Sequence, residues 1–166
     1  MAFIVEDGTI VDNANAYVTT IFVDSYFSDR NDALWAGSSS VKQGAIVRAT
    51  DYIDIRFGSS LIGNVVNSTQ PLKFPRIISG TNVGVPLAIQ KACAEYAKIA
   101  LSQLLIITPA IAIDGLPISK TVTKIGPIED TIEYDNNIPA LTIRPYPTGD
   151  LYLNPYILYG SNKVSR

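Results

Sequence analysis

The sequence predicts a mainly α-helical protein with one β-hairpin and an extended N-terminal arm. Three observations carry this prediction. Apolar residues recur at the 3.6-residue spacing of a half-buried helix in three separate segments. Two runs rich in β-branched residues flank Gly126-Pro127, as the strands of a hairpin would. A Pro-rich lead-in, Arg144-Pro145-Tyr146-Pro147, precedes one more short apolar segment that reads as a fourth, short helix near Asp150 to Leu158.

Taken in order, Met1 to Val11 reads as an arm or short hairpin turning at Asp7-Gly8. Asp12 or Asn13 is placed to cap a first helix over Asn15 to Asp29, with Tyr17, Val18, Ile21, Phe22 and Tyr26 on its apolar face. A loop with Asp32, Leu34 and Trp35 ends in Gly37-Ser38-Ser39-Ser40, whose serines can cap the next helix. That helix spans Val41 to Arg56. It carries Ala45, Ile46, Ala49, Ile53 and Phe57 along one side, and Gly58 stands as its stop. Ser59 to Val85 is rich in Gly, Ser, Asn and Pro and reads as a long irregular connection, a kind of segment that is often functional. Pro86 suits the first position of a third helix, Pro86 to Leu104, with a stripe of Ile89, Ala92, Cys93, Tyr96, Ala100 and Leu104. Its many alanines allow a neighbouring helix to approach closely. Thr121 to Ile125 and Thr131 to Tyr134 are the two hairpin strands, with a further turn at Asp135-Asn136-Asn137. Gly160 to Arg166 is a polar, basic tail.

At 166 residues one domain is the default, and such a domain buries roughly 70% of its unfolded surface. Its parts are a helical region of about 12–105, a hairpin of about 120–135 and a C-terminal helix and tail of about 148–166. The chain has one Cys and no His, which excludes a disulfide framework and the imidazole-dependent triads and zinc sites. With 17% charged residues, net charge −2, pI near 5.0 and mean hydropathy +0.20, bulk charge does not favour coating nucleic acid. So low a charged fraction suits a surface covered by partners. The N-terminus lacks the basic start of a signal peptide. The most apolar run, Leu104 to Ile113, is shorter than the roughly 20 residues of a membrane span.

Charge is segregated. Residues 1–54 hold eight acids and three bases, residues 55–124 two acids and seven bases, and residues 125–166 five acids and three bases. The balances are −5, +5 and −2. Opposite blocks can meet within a subunit or between neighbours in a head-to-tail ring.

No phosphate-binding glycine motif, EF-hand or nucleophile elbow occurs, and nothing singles out a Ser-Lys dyad. Asp51 and Asp54 share a helix face, as an acid–base pair or Mg²⁺ site would need. A solvated face with Arg48 and Arg56 close by accounts for them more simply. Glu129, Asp130, Glu133 and Asp135 on the hairpin read as solvated edge charge. Cys93, on an apolar stripe, reads as a small buried hydrophobe. Tyr52/Arg56/Phe57 and Lys73/Phe74/Arg76 pair rings with cations and could clamp single-stranded DNA. The preferred reading has Phe57 and Phe74 anchoring a long loop to the core and Arg76 pairing an acid. Four of nine tyrosines, Tyr146, Tyr152, Tyr156 and Tyr159, fall in the last 21 residues beside the basic tail, which points to a partner surface.

A longer pattern links these segments. It runs from Asn15-Ala16-Tyr17-Val18 and Leu34-Trp35 to Ile46-Val47-Arg48-Ala49-Thr50-Asp51-Tyr52-Ile53-Asp54 and Leu72-Lys73-Phe74-Pro75-Arg76. It continues through Val85-Pro86, Lys124-Ile125-Gly126-Pro127-Ile128, Arg144-Pro145-Tyr146-Pro147, Leu151 and Pro155-Tyr156-Ile157-Leu158. In this order, over nearly the whole chain, the sequence resembles the head–tail connector or adaptor (neck) proteins of tailed bacteriophages, which often carry the label DnaT-like single-stranded DNA-binding protein. The resemblance implies a small helical bundle with a β-hairpin and extended arms, and no enzyme activity, catalytic residues, metal or cofactor. It implies a homo-oligomeric ring, a dodecamer, seated under the portal at the neck of the virion, with each subunit made in the bacterial cytoplasm. A tail or stopper protein would dock on it, and double-stranded DNA would pass through without specific binding. A mildly acidic lumen fits such passage, since phosphate contacts would retard it. On this view Tyr152, Tyr156, Tyr159, Lys163 and Arg166 are expected to meet the portal. Arg56, Phe74 and Arg76 are expected at the ring interface. The alternative is a DnaT-like single-stranded DNA-binding protein of replication, which the ring–cation sets would serve.

Overall fold

The computed structural model describes residues 2–107, 118–124, 129–134, 142–143 and 145–158. It is mainly helical, as predicted, and resolves into two compact units: residues 1–105 with 145–166, and residues 106–144.

The first unit holds α1 (Thr20–Ser28), α2 (Ser39–Phe57), α3 (Leu87–Ser102) and α4 (Pro147–Leu153), the last running into a 3₁₀ turn at Asn154–Tyr156. Between α2 and α3 lies a three-stranded antiparallel sheet of β1 (Asn64–Val65), β2 (Arg76–Ile78) and β3 (Thr81–Asn82). The register pairs Asn64 with Ile77 and Ile78 with Thr81. This sheet replaces the irregular connection expected for Ser59 to Val85. Its strands have two or three residues, too short to show a period-2 pattern in sequence. Gly63 makes the first strand possible: its φ is +72°, and a Cβ there would strike the Ile77 carbonyl oxygen.

The first helix begins five residues later than expected. Ala14, Ala16, Tyr17 and Val18 are buried, but in extended backbone. Ala16 bridges Val5 in parallel, and the Tyr17 amide donates to Thr50 Oγ1 at 3.2 Å. Thr19, rather than Asp12 or Asn13, caps α1, its Oγ1 accepting from the Phe22 amide at 3.1 Å. Tertiary pairing of this segment outweighs its helical spacing. The arm before it is organised by Glu6, whose buried carboxylate accepts from the backbone amides of Gly8, Ile10 and Val11 at 2.7–3.0 Å.

α2 starts two residues early, behind Ser38, and Gly58 caps it in right-handed rather than left-handed conformation. α3 starts one residue late, with Pro86 at the cap, and the fourth helix starts three residues early, at Pro147. α2 packs along α3, and α4 lies on α3. Small residues at the α2–α3 seam, Ala45, Ala49, Ala92 and Ala97, allow close approach. Ile46, Ile53 and Ile89 are fully buried there, each contributing roughly 1.5–3 kcal/mol relative to exposure. Tyr146 is a core residue: its ring meets Tyr52 and Tyr96 edge-on at 5.7 and 6.2 Å. It is therefore not part of a tyrosine-rich outer surface.

The second unit pairs β4 (Ile106–Ile107) with β7 (Thr142–Ile143), and β5 (Ile118–Lys124) with β6 (Glu129–Tyr134), both antiparallel. The latter pair is the predicted hairpin, with an irregularity in register between Ile118 and Lys120. Its connecting Gly126-Pro127, the turn at Asp135-Asn136-Asn137 and the tail Gly160 to Arg166 lie outside the described residues. No described helix is long and apolar enough to cross a membrane.

Candidate nucleic-acid interface

Apart from Lys73, which is exposed, the ring–cation sets read from the sequence are turned inward. Phe74 is fully buried and meets Tyr17 and Tyr156 edge-on at 6.0 and 6.3 Å. Phe57 and Tyr52 are buried too. The anchoring role expected of Phe57 and Phe74 is what the structure shows. Arg56 lies over the Phe57 ring and donates two bonds of 2.8 Å to the Asp150 carboxylate. Arg76, 6% exposed, pairs no acid among the described residues; this corrects the expectation. Its guanidinium donates instead to the carbonyls of Leu61, Ile62, Gly63 and Lys73 at 2.6–3.2 Å. Three consecutive carbonyls curve around a planar fork of five donors, an arrangement that suits arginine alone. Arg56, Phe74 and Arg76, expected at a ring interface, thus have their contacts within the subunit.

Asp51 and Asp54 do not share a solvated face. Asp51 is exposed, whereas Asp54 accepts a short bond from the Tyr17 hydroxyl and one of 3.0 Å from the Lys73 amide. Burial pushes Asp54 up to about 6, against the pull of those two donors. Cys93 is fully buried, and burial pushes its thiol up to about 12. Among the described residues no three His, Cys, Asp or Glu side chains cluster to hold a metal ion.

The described surface does offer one mixed ring–cation cleft, of about 280 Å³, between α1 and the start of α3. Phe22 and Tyr26, one helical turn apart, stack at 6.3 Å with planes 22° apart. Tyr26 is buried and Phe22 is partly exposed. The Arg30 guanidinium sits 3.5 Å over the Tyr26 ring and donates to the Tyr26 carbonyl at 2.8 Å. From α3 come Leu87 and Lys91, and Asp29 stands at the rim. The Lys91 ammonium lies 5.9 Å from the ring centre of Tyr152, whose hydroxyl is 3.4 Å from that of Tyr26. Tyr26 also donates to Glu95 at 2.8 Å, and burial, Tyr152 and Glu95 together raise its pKa. Lys42, Arg56 and Lys98 each have a carboxylate partner, whereas Arg30 and Lys91 form no ion pair among the described residues.

Residues 1–165 match the family described as "Putative DnaT-like ssDNA binding protein". The chain belongs to this family. No curated protein and no solved structure matches it. In this DnaT-like chain, Phe22 and Tyr26 read in the sequence as the end of an apolar stripe and Arg30 falls just past the helix expected over Asn15 to Asp29, so the three do not stand out as a set. Their i, i+4, i+8 spacing was the available signal. Leu87 and Lys91 join them only through packing of α3 on α1. Of the expected portal residues, Tyr152 is partly exposed beside the cleft. Tyr156 is partly buried against Phe74, and its carbonyl accepts from the Ile62 amide at 2.8 Å. Tyr159, Lys163 and Arg166 lie outside the described residues.

Proposed function

We propose that this DnaT-like protein binds single-stranded DNA and performs no chemistry on it. The observation that carries the reading is the α1–α3 cleft, where rings are set together with two cations that form no ion pair among the described residues. Stacked rings take unpaired bases and cations take phosphates, which is the chemistry of sequence-tolerant single-strand binding. Family membership supports the same reading. With net charge −2 the attraction is local, so binding is expected to be moderate and to weaken with salt. Fluorescence anisotropy of a labelled oligo-dT, titrated between about 50 and 200 mM salt, tests it. Affinity falling along a straight log–log line supports the reading, and no binding at the lowest salt overturns it.

A second reading is the connector ring of a phage neck. It is favoured by large aliphatic side chains held in water: Ile21 is 81% exposed, Leu34 76% and Leu151 67%. Such residues suit contact with neighbouring subunits, a portal or a tail or stopper protein. On this reading the chain forms a dodecamer through which double-stranded DNA passes. Negative-stain images of the protein mixed with portal test it: a ring of defined symmetry on the portal supports it, and free monomers overturn it.

A further inference from the structure

We infer that the α1–α3 cleft is a station for one unstacked nucleotide of a single strand, its base on the Phe22 ring and its flanking phosphates on Arg30 and Lys91. The inference rests on the single-strand reading above and gives it a place. Phe22 and Tyr26 have different parts. Tyr26 is buried, roofed by Arg30 and tied to Glu95, so it is a support. Phe22 is stacked beside it with part of its ring open, so it is the ring that can receive a base.

The cations are prepared differently. Arg30 is held by the Tyr26 ring and by one bond to the Tyr26 carbonyl, so little side-chain entropy is lost when its remaining donors meet a phosphate. Lys91 stands across the cleft on α3, oriented toward Tyr152, and supplies a point charge from the opposite wall. Leu87, 55% exposed, adds an apolar edge for the sugar or base. Asp29 at the rim opposes them, so the cleft carries a net charge of about +1 and suits one nucleotide's phosphates rather than the dense array of a duplex. A base still paired in a duplex cannot lie on Phe22, so the cleft discriminates strand state rather than sequence.

The test is anisotropy of a labelled oligo-dT of about twelve nucleotides with the full chain, alongside an abasic strand of equal length and a duplex. Phe22→Ala is expected to weaken oligo-dT binding about ten-fold or more, and Phe22→Trp to preserve it. Arg30→Ala with Lys91→Ala is expected to reduce the log–log salt slope by about 1.4, at about 0.7 per phosphate. Lys42→Ala, on a cation that pairs with Asp24 and does not line the cleft, should change neither. The abasic strand and the duplex should bind about ten-fold more weakly than oligo-dT. Thermal melting of each variant confirms that it is folded. If wild type binds and the Phe22 and Arg30/Lys91 variants bind equally well, the cleft is not the station and the single-strand reading stands. Equal binding of the abasic strand, or failure of Phe22→Trp to preserve affinity, overturns stacking on Phe22. If wild type binds no oligonucleotide, the reading and the station fall together.

Discussion

Arg56 and Asp150, 94 residues apart in sequence, face each other through two N–H···O bonds of 2.8 Å. The Tyr96 hydroxyl donates to the same carboxylate at 2.6 Å, so one anion joins α2, α3 and α4. Removing either charge takes the ion-pair partner from the other, which stays partly buried. Asp150→Ala or Arg56→Ala is expected to cost roughly 2–4 kcal/mol. This is somewhat under the fully buried range, because the side chains keep 18% and 21% exposure. Urea unfolding measures it. In a double-mutant cycle, Arg56→Met with Asp150→Leu should cost less than the two single losses added.

Arg76 holds the long connection between α2 and α3 by its carbonyl contacts. Arg76→Ala should destabilise by roughly 2–3 kcal/mol, since one buried and three part-buried carbonyls lose their donor together. Arg76→Lys should recover little of this, because an ammonium cannot span consecutive carbonyls as a planar fork does. Limited proteolysis within residues 59–85 reads the effect directly; equal resistance of Arg76→Ala and wild type would contradict it.

Asp54 makes stability depend on pH in a direction opposite to a salt-bridged acid. Burial raises it to about 6, whereas in the unfolded chain an aspartate titrates near 3.9. The folded protein therefore binds the extra proton between these values. Its contribution to stability is fully present below about pH 4 and is lost as pH rises through about 6. Asp54→Asn removes the titration. The stability of wild type minus that of Asp54→Asn should fall by on the order of 2–3 kcal/mol between pH 4 and 7. A difference flat with pH would show that the carboxyl ionises as freely folded as unfolded.

Gly149 lets α4 lie on α3. A Cβ at this position would sit 2.6 Å from Cζ of Tyr96, a fully buried ring with no room to retreat. Gly149→Ala, despite the better helix propensity of alanine, should destabilise by roughly 1–3 kcal/mol through overpacking. A higher melting temperature for Gly149→Ala would mean that helix propensity outweighs the clash.

Much of the fold was legible because it is local. The helical stripes in α2 and α3, the alanine-rich seam and the β5–β6 hairpin depend on residues a few positions apart, whose spacing sets which side chains share a face. The site was not legible in that way. Tyr52, Phe74, Arg56 and Arg76 have the composition of a nucleic-acid clamp, yet each finds partners in distant segments and turns inward. Phe22, Tyr26 and Arg30 look like the end of an amphipathic stripe until α3 brings Lys91 beside them.

By itself the sequence determined that the protein is mainly helical, lacks imidazole and disulfide chemistry, and segregates its charge. Only the tertiary structure decided that Ala14 to Val18 is extended rather than helical, that Ser59 to Val85 contains a sheet, and which cations form no ion pair among the described residues. The physical reason is the same in each case. Buried donors and acceptors must be satisfied, and the groups that satisfy them here, Thr50 for Tyr17, Leu61 to Gly63 for Arg76 and Asp150 for Arg56, come from parts of the chain that local spacing does not connect.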